Sequence, residues 1–152
     1  MSIDLQVATD CADLPDSQLL TDWVELATKQ HKDTEVVIRL VDEVESAELN
    51  EAYRQKNGPT NVLSFPFERP EGLPESALPS NTLGDLVICA PVVLKEAAEQ
   101  GKKASDHWAH MVIHGCLHLQ GYDHIDDDDA QVMELLEVKL LNSIGISNPY
   151  EG

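Results

Sequence analysis

Five of the six histidines in this 152-residue chain fall between His107 and His124. Within that stretch His114 and His118 lie four apart, so on a helix their imidazoles stand on one face, a turn apart, and can share a metal ion. Gly121 can end such a helix in a left-handed turn, and the reversed chain can return His124 to the same ion. The segment HGCLHLQGYDH thus reads H-x3-H-x2-G-x2-H. Three neutral imidazoles leave a fourth tetrahedral position for water, which is how catalytic rather than structural zinc is held. Zinc lowers the pKa of such a water toward ~7, so the chemistry expected is hydrolytic. One zinc per chain is the expected cofactor, although nickel or another divalent ion tolerates the same ligands.

Neighbouring residues are open to two readings. His110 lies on the same stripe one turn before His114, and is either a group behind the ligands or facing substrate, or a core residue. Asp123 either accepts from the second nitrogen of a ligating imidazole or is a simple turn residue. His107 is expected at the surface near the helix start, and His31 carries no signal. Cys116 sits between two ligands in sequence but points roughly 200° away from His114 around a helix, so it belongs to the core.

The elements that must position these groups follow from periodicity. Ile3, Leu5 and Val7 alternate as in a half-buried strand, and Leu19, Leu20, Trp23, Val24 and Ala27 then make an apolar helix stripe. EVVIRLV, Glu35 to Val41, reads as a strand covered on both sides. Ser46 can cap a short helix carrying Leu49, Ala52 and Tyr53. Val62 to Phe65 is a short strand ended by Pro66, and the proline-rich stretch from Glu68 to Asn81 reads as an exposed loop. Leu83 to Ala90 is another buried strand. Pro91 and Gly101 bracket the next helix, and Ser105 or Asp106 caps the histidine helix, which runs to about Leu119. Asp126 to Asp129 suit the first turn of a last helix, with Val132, Leu135, Leu136 and Leu140 as its apolar face. The order β, α, β, α, β, β, α, α, α predicts an α+β fold: a small mixed four-stranded sheet flanked by about five helices, with the metal site on a helix and the turn after it.

At this length the whole chain, 1–152, is expected to be one domain. Ten Lys+Arg against 28 Asp+Glu give a net charge of -18, which excludes indiscriminate coating of nucleic acid or anionic membrane. The opening decapeptide lacks signal-peptide features and no stretch approaches a membrane span, so a soluble, non-secreted protein without a membrane partner is expected. Cys11, Cys89 and Cys116 are odd in number and widely spaced, as buried thiols of a reducing cytosol are.

The ligand spacing resembles the metzincin peptidase signature H-E-x-x-H-x-x-G-x-x-H, except that Gly115 stands where those enzymes place their glutamate base. A zinc peptidase would therefore lack its water-activating partner. HGCLHLQGYDH, together with TNVLSFPFE from Thr60 to Glu68, GDLVIC from Gly84 to Cys89 and HWAHMVIHG, resembles the YbeY family of bacterial zinc-dependent endoribonucleases over nearly the whole chain. That resemblance implies a cytoplasmic, single-strand-specific, metal-dependent endoribonuclease. Its expected work is rRNA maturation at the small-subunit 3′ end and ribosome quality control, with single-stranded rRNA and the ribosome or ribosome-associated proteins as partners. It implies His114, His118 and His124 as ligands and places the family's functional arginine on Arg54.

Read from the residues alone, Arg54 is either a surface arginine suiting a helix C-terminus or, with Lys56, a phosphate contact that can grip bidentately. With the resemblance it is expected beside the metal in one cleft, stabilising charge. Asn61 and Ser64 are expected to offer hydrogen bonds to a backbone or sugar there, and Phe65 to be core. Asp85, inside an apolar strand, must be exposed at the strand end or paired, with an imidazole or Arg54 as candidate partner. Two other functions stand beside the nuclease: a metzincin-like peptidase, and a noncatalytic ribosome-assembly factor with structural zinc.

Overall fold

The computed structural model describes residues 2–11, 14–28, 35–66, 82–120 and 127–149. The chain runs β1 (Ser2–Ala8), α1 (Ser17–Ala27), β2 (Glu35–Val41), α2 (Glu43–Arg54), β3 (Val62–Pro66), β4 (Thr82–Cys89), α3 (Ala90–Glu99), α4 (Ala104–Leu119) and α5 (Asp127–Ser143). This is the α+β order read from the sequence, with a four-stranded mixed sheet in the order β1-β2-β4-β3. β1, β2 and β4 are parallel, and β3 returns antiparallel on β4 at one end of the sheet, with Ser64 opposite Leu86 and Phe65 opposite Asp85.

Alternation along the strands feeds two cores. Val36, Ile38, Leu40, Val62, Leu86 and Ile88 point to the face that carries α1 and α4. Val41, Leu63, Val87 and Cys89 point to the other face, where Leu49 of α2 and Phe65 close over them. β2 is thus apolar on both faces because both are covered. Arg39 is its exception, and it reaches Glu45 of α2 through a two-pronged ion pair at 2.5 and 3.0 Å.

α4 is the central helix. Trp108, Val112, Ile113, Cys116 and Leu117 are all buried, and the helix packs against α1, α3, α5, β3 and β4, so it is covered on most of its circumference. Two helix starts differ from the sequence expectation. Asp42 is the N-cap of α2 and Ser46 lies inside that helix. The Ser46 hydroxyl donates to the Thr60 carbonyl at 2.9 Å and accepts from its amide at 3.0 Å. Lys103 is the N-cap of α4, with Asp106 in its first turn, so the dipole is met by charge rather than by a side-chain cap.

The larger correction concerns α5. Val132 and Leu135 are 55% and 70% exposed, whereas Met133, Glu137 and Leu141 are fully buried and Leu136 and Leu140 half-buried. The buried stripe runs i, i+4, i+8 through an acid, which a reading by hydrophobicity passes over. Among the described residues no helix is long and apolar enough to cross a membrane.

Candidate metal centre

One flank of α4 carries four histidines in a row. Ring centroids are 6.1 Å apart for His107 and His110, 6.2 Å for His110 and His114, and 4.7 Å for His114 and His118. His107 and His110 are buried, whereas His114 and His118 are half-buried, so the row emerges from the core toward the end of the helix. The i, i+4 spacing therefore does place the two imidazoles of the motif side by side. His124, Asp123 and Gly121 lie outside the described residues.

Opposite this flank stands Glu137, whose side chain is 0% exposed. An isolated buried carboxylate is costly and needs partners. Its Oε1 lies 2.5 Å from His114 Nδ1 and 3.5 Å from His110 Nε2. Among the described residues, His110, His114 and Glu137 bring three donor atoms within 4.8 Å of one another, a group that can hold a metal ion. Glu137 was not foreseen. The available signal was its place midway between Met133 and Leu141.

His107 is not the surface residue expected: it is 3% exposed, with Nε2 2.9 Å from Glu96 of α3. Burial pushes its imidazole below the usual histidine value, and the Glu96 carboxylate acts in the opposite direction. Glu96 also accepts from the Asn61 amide at 3.1 Å, while Asn61 Oδ1 accepts from the Val62 amide. Asn61 therefore spends its side chain tying the start of β3 to α3. Ser64 donates to the Gly115 carbonyl at 3.3 Å, joining β3 to α4.

Gly115 has a steric cause. A Cβ there would sit 2.6 Å from Leu86 Cδ2 and 3.3 Å from Val62 Cγ2, so the position faces the sheet. A side chain at this place would start out toward β4 and β3. Cys116 is core as expected, and full burial pushes its thiol up to about 12, which removes it as a ligand or nucleophile near neutral pH.

Arg54 is exposed at the last position of α2, followed by Gln55 in the left-handed conformation with φ 56°. Lys56 is exposed beside it, and Asn50 holds the loop by donating to the Gly58 carbonyl at 2.9 Å. α2 and α4 cover opposite faces of the sheet. They meet at β3, where Tyr53 packs edge-on against Phe65 at 5.3 Å on one face and Ser64 touches Gly115 on the other. Asp85 shares the face of Phe65 and Asp4, not that of the histidines, because it alternates with Leu86. It is exposed, and among the described residues neither an imidazole nor Arg54 pairs with it. Partial burial, then the charge of Asp4, raises its carboxyl above the usual range.

Fold and site together define a small α+β protein with a candidate metal centre on its central helix. Comparison with known proteins narrows this class. The family pattern described as Endoribonuclease YbeY matches residues 7–145. Proteins named Endoribonuclease YbeY from Pseudomonas putida (strain W619) and Methylococcus capsulatus are 57% and 55% identical over 151 and 150 residues. The matches cover 99% of this chain and 93% and 95% of those proteins. A solution structure from Thermotoga maritima is similar with a TM-score of 0.60 at 28% identity, over 99% of each chain. The chain belongs to the Endoribonuclease YbeY family.

Proposed function

We propose that residues 1–152 act as a single zinc-dependent endoribonuclease domain that cuts single-stranded ribosomal RNA. Its place is maturation of the small-subunit 3′ end and ribosome quality control in the cytoplasm, where the ribosome or its associated proteins deliver the substrate. The observation that carries this reading is the pair of adjacent His114 and His118 imidazoles on α4, in a chain whose relatives are named endoribonucleases. Imidazoles suit zinc, and His114, His118 and His124 would hold it. When bound, zinc supplies Lewis acidity that acidifies water or polarises a phosphoryl oxygen.

The chain's own residues supply the rest. Arg54 grips a phosphate and stabilises charge as the phosphodiester breaks. The bonds from Ser46 and Asn50 to the following loop fix where α2 ends, and with it the guanidinium's base. The peptidase reading lacks its glutamate base, because Gly115 stands at that position and any side chain there would crowd Leu86 and Val62.

The test pairs RNA with casein as substrates for zinc-loaded protein, before and after chelation. Cleavage of RNA alone, lost on chelation with helical content retained and restored by zinc, is the expected result. Unfolding on chelation without prior RNA cleavage would instead make the metal a scaffold of a noncatalytic assembly factor.

A further inference from the structure

We infer that Glu137 is a positioning residue that fixes the His114 tautomer, holding the proton on Nδ1 so that Nε2 is left to bind the metal. The inference rests on the reading of His114 as a ligand and adds a residue to it. Three observations carry it. Glu137 is fully buried, on a helix other than the one that bears the histidines. Its Oε1 lies 2.5 Å from His114 Nδ1, a hydrogen-bond separation, whereas two tetrahedral zinc ligands at about 2.0–2.1 Å from the ion would stand roughly 3.3 Å apart. The pair is thus placed as hydrogen-bond partners, with the ring nitrogen donating to an ionised carboxylate.

With Glu137 ionised, the nitrogens of His114 take distinct roles. A neutral imidazole has one donor and one acceptor, so an acceptor at Nδ1 places the hydrogen there and the lone pair on Nε2. A carboxylate behind a ligating histidine sets ring orientation and raises ligand basicity in this way. His110 Nε2 lies 3.5 Å from the same Oε1, so both rings face one carboxylate oxygen and His110 need not be a ligand. Met133 and Leu141, buried one turn to either side, hold the carboxylate at this depth.

The test reads the tautomer and the metal separately. Long-range 1H–15N spectra of the full-length, metal-free protein above pH 8 are expected to show His114 protonated at Nδ1. Glu137→Leu should move it toward the Nε2–H form and weaken zinc binding, by competition with a chromogenic chelator, roughly ten- to hundredfold. Glu137→Gln, whose amide oxygen can accept the same hydrogen, should restore the tautomer and most of the affinity. An Nε2–H tautomer in the wild type overturns the inference without any variant, which covers the case that Glu137→Leu fails to fold. Unchanged affinity and tautomer in a folded Glu137→Leu also overturn it, as does loss of zinc from Glu137→Gln as complete as from His114→Ala. A wild type that binds no zinc defeats the zinc reading itself, and is distinguished from these results by the metal titration alone.

Discussion

Two imidazoles four apart on a helix share an ion only if each turns a nitrogen lone pair toward it, and here a buried acid on another helix stands behind one of them. The identity of the ligands can be separated from that of their supports by single substitutions. Metal content of purified protein is expected to fall to background in His118→Ala and to stay near wild type in His110→Ala. The reverse pattern would place the ion among His110, His114 and Glu137. His107 gives a prediction of another kind. Burial holds its imidazole below the ordinary value of 6.5, so the unfolded chain binds its proton at higher pH than the folded one. Its contribution to stability is complete above about pH 6.5 and is lost as pH falls through the lower, folded value. Urea unfolding between pH 8 and 5 should therefore show a steeper loss for wild type than for His107→Gln; parallel curves would contradict this. His114 and His118 were legible because a spacing of four is itself a geometric statement. Glu137, Glu96 and the burial of His107 were not, because each is set by a partner remote in sequence.

At the level of elements, the order of strands and helices was readable from period and punctuation, down to the bounds of β2. What failed was the phase of α5, since its buried stripe passes through an acid, and the helix starts at Asp42 and Lys103, which carry no side-chain cap bond. Gly115 links element to site: the missing side chain lets α4 approach β4 and β3. Gly115→Glu is expected to cost about 3 kcal/mol or more through overpacking and a buried carboxylate. For a chain of this size that lowers Tm by about 6–12 °C. It should confer no casein hydrolysis. A Tm equal to wild type would show that this face of α4 is not closed against the sheet.

For the whole molecule, a net charge of -18 sets the terms on which RNA can be bound. With Arg54 and Lys56 as the phosphate contacts, roughly two, the dependence of log binding constant on log salt should have a slope near −1.4 for single strands. Binding to bulk RNA at physiological salt should be weak, so that targeting depends on the ribosome or its proteins. A steep slope with tight, sequence-independent binding, measured by fluorescence anisotropy across salt concentrations, would contradict this. The central claim is that His114, as a metal ligand, and the guanidinium of Arg54 both serve the cleavage of RNA. Its most direct test is cleavage of single-stranded ribosomal RNA by wild type, His114→Ala and Arg54→Ala, with metal content determined on the same samples. Arg54→Ala is predicted to keep its fold and metal and lose cleavage by about a hundredfold or more, and His114→Ala to lose metal and cleavage together. Wild-type cleavage rates in either variant would contradict the account.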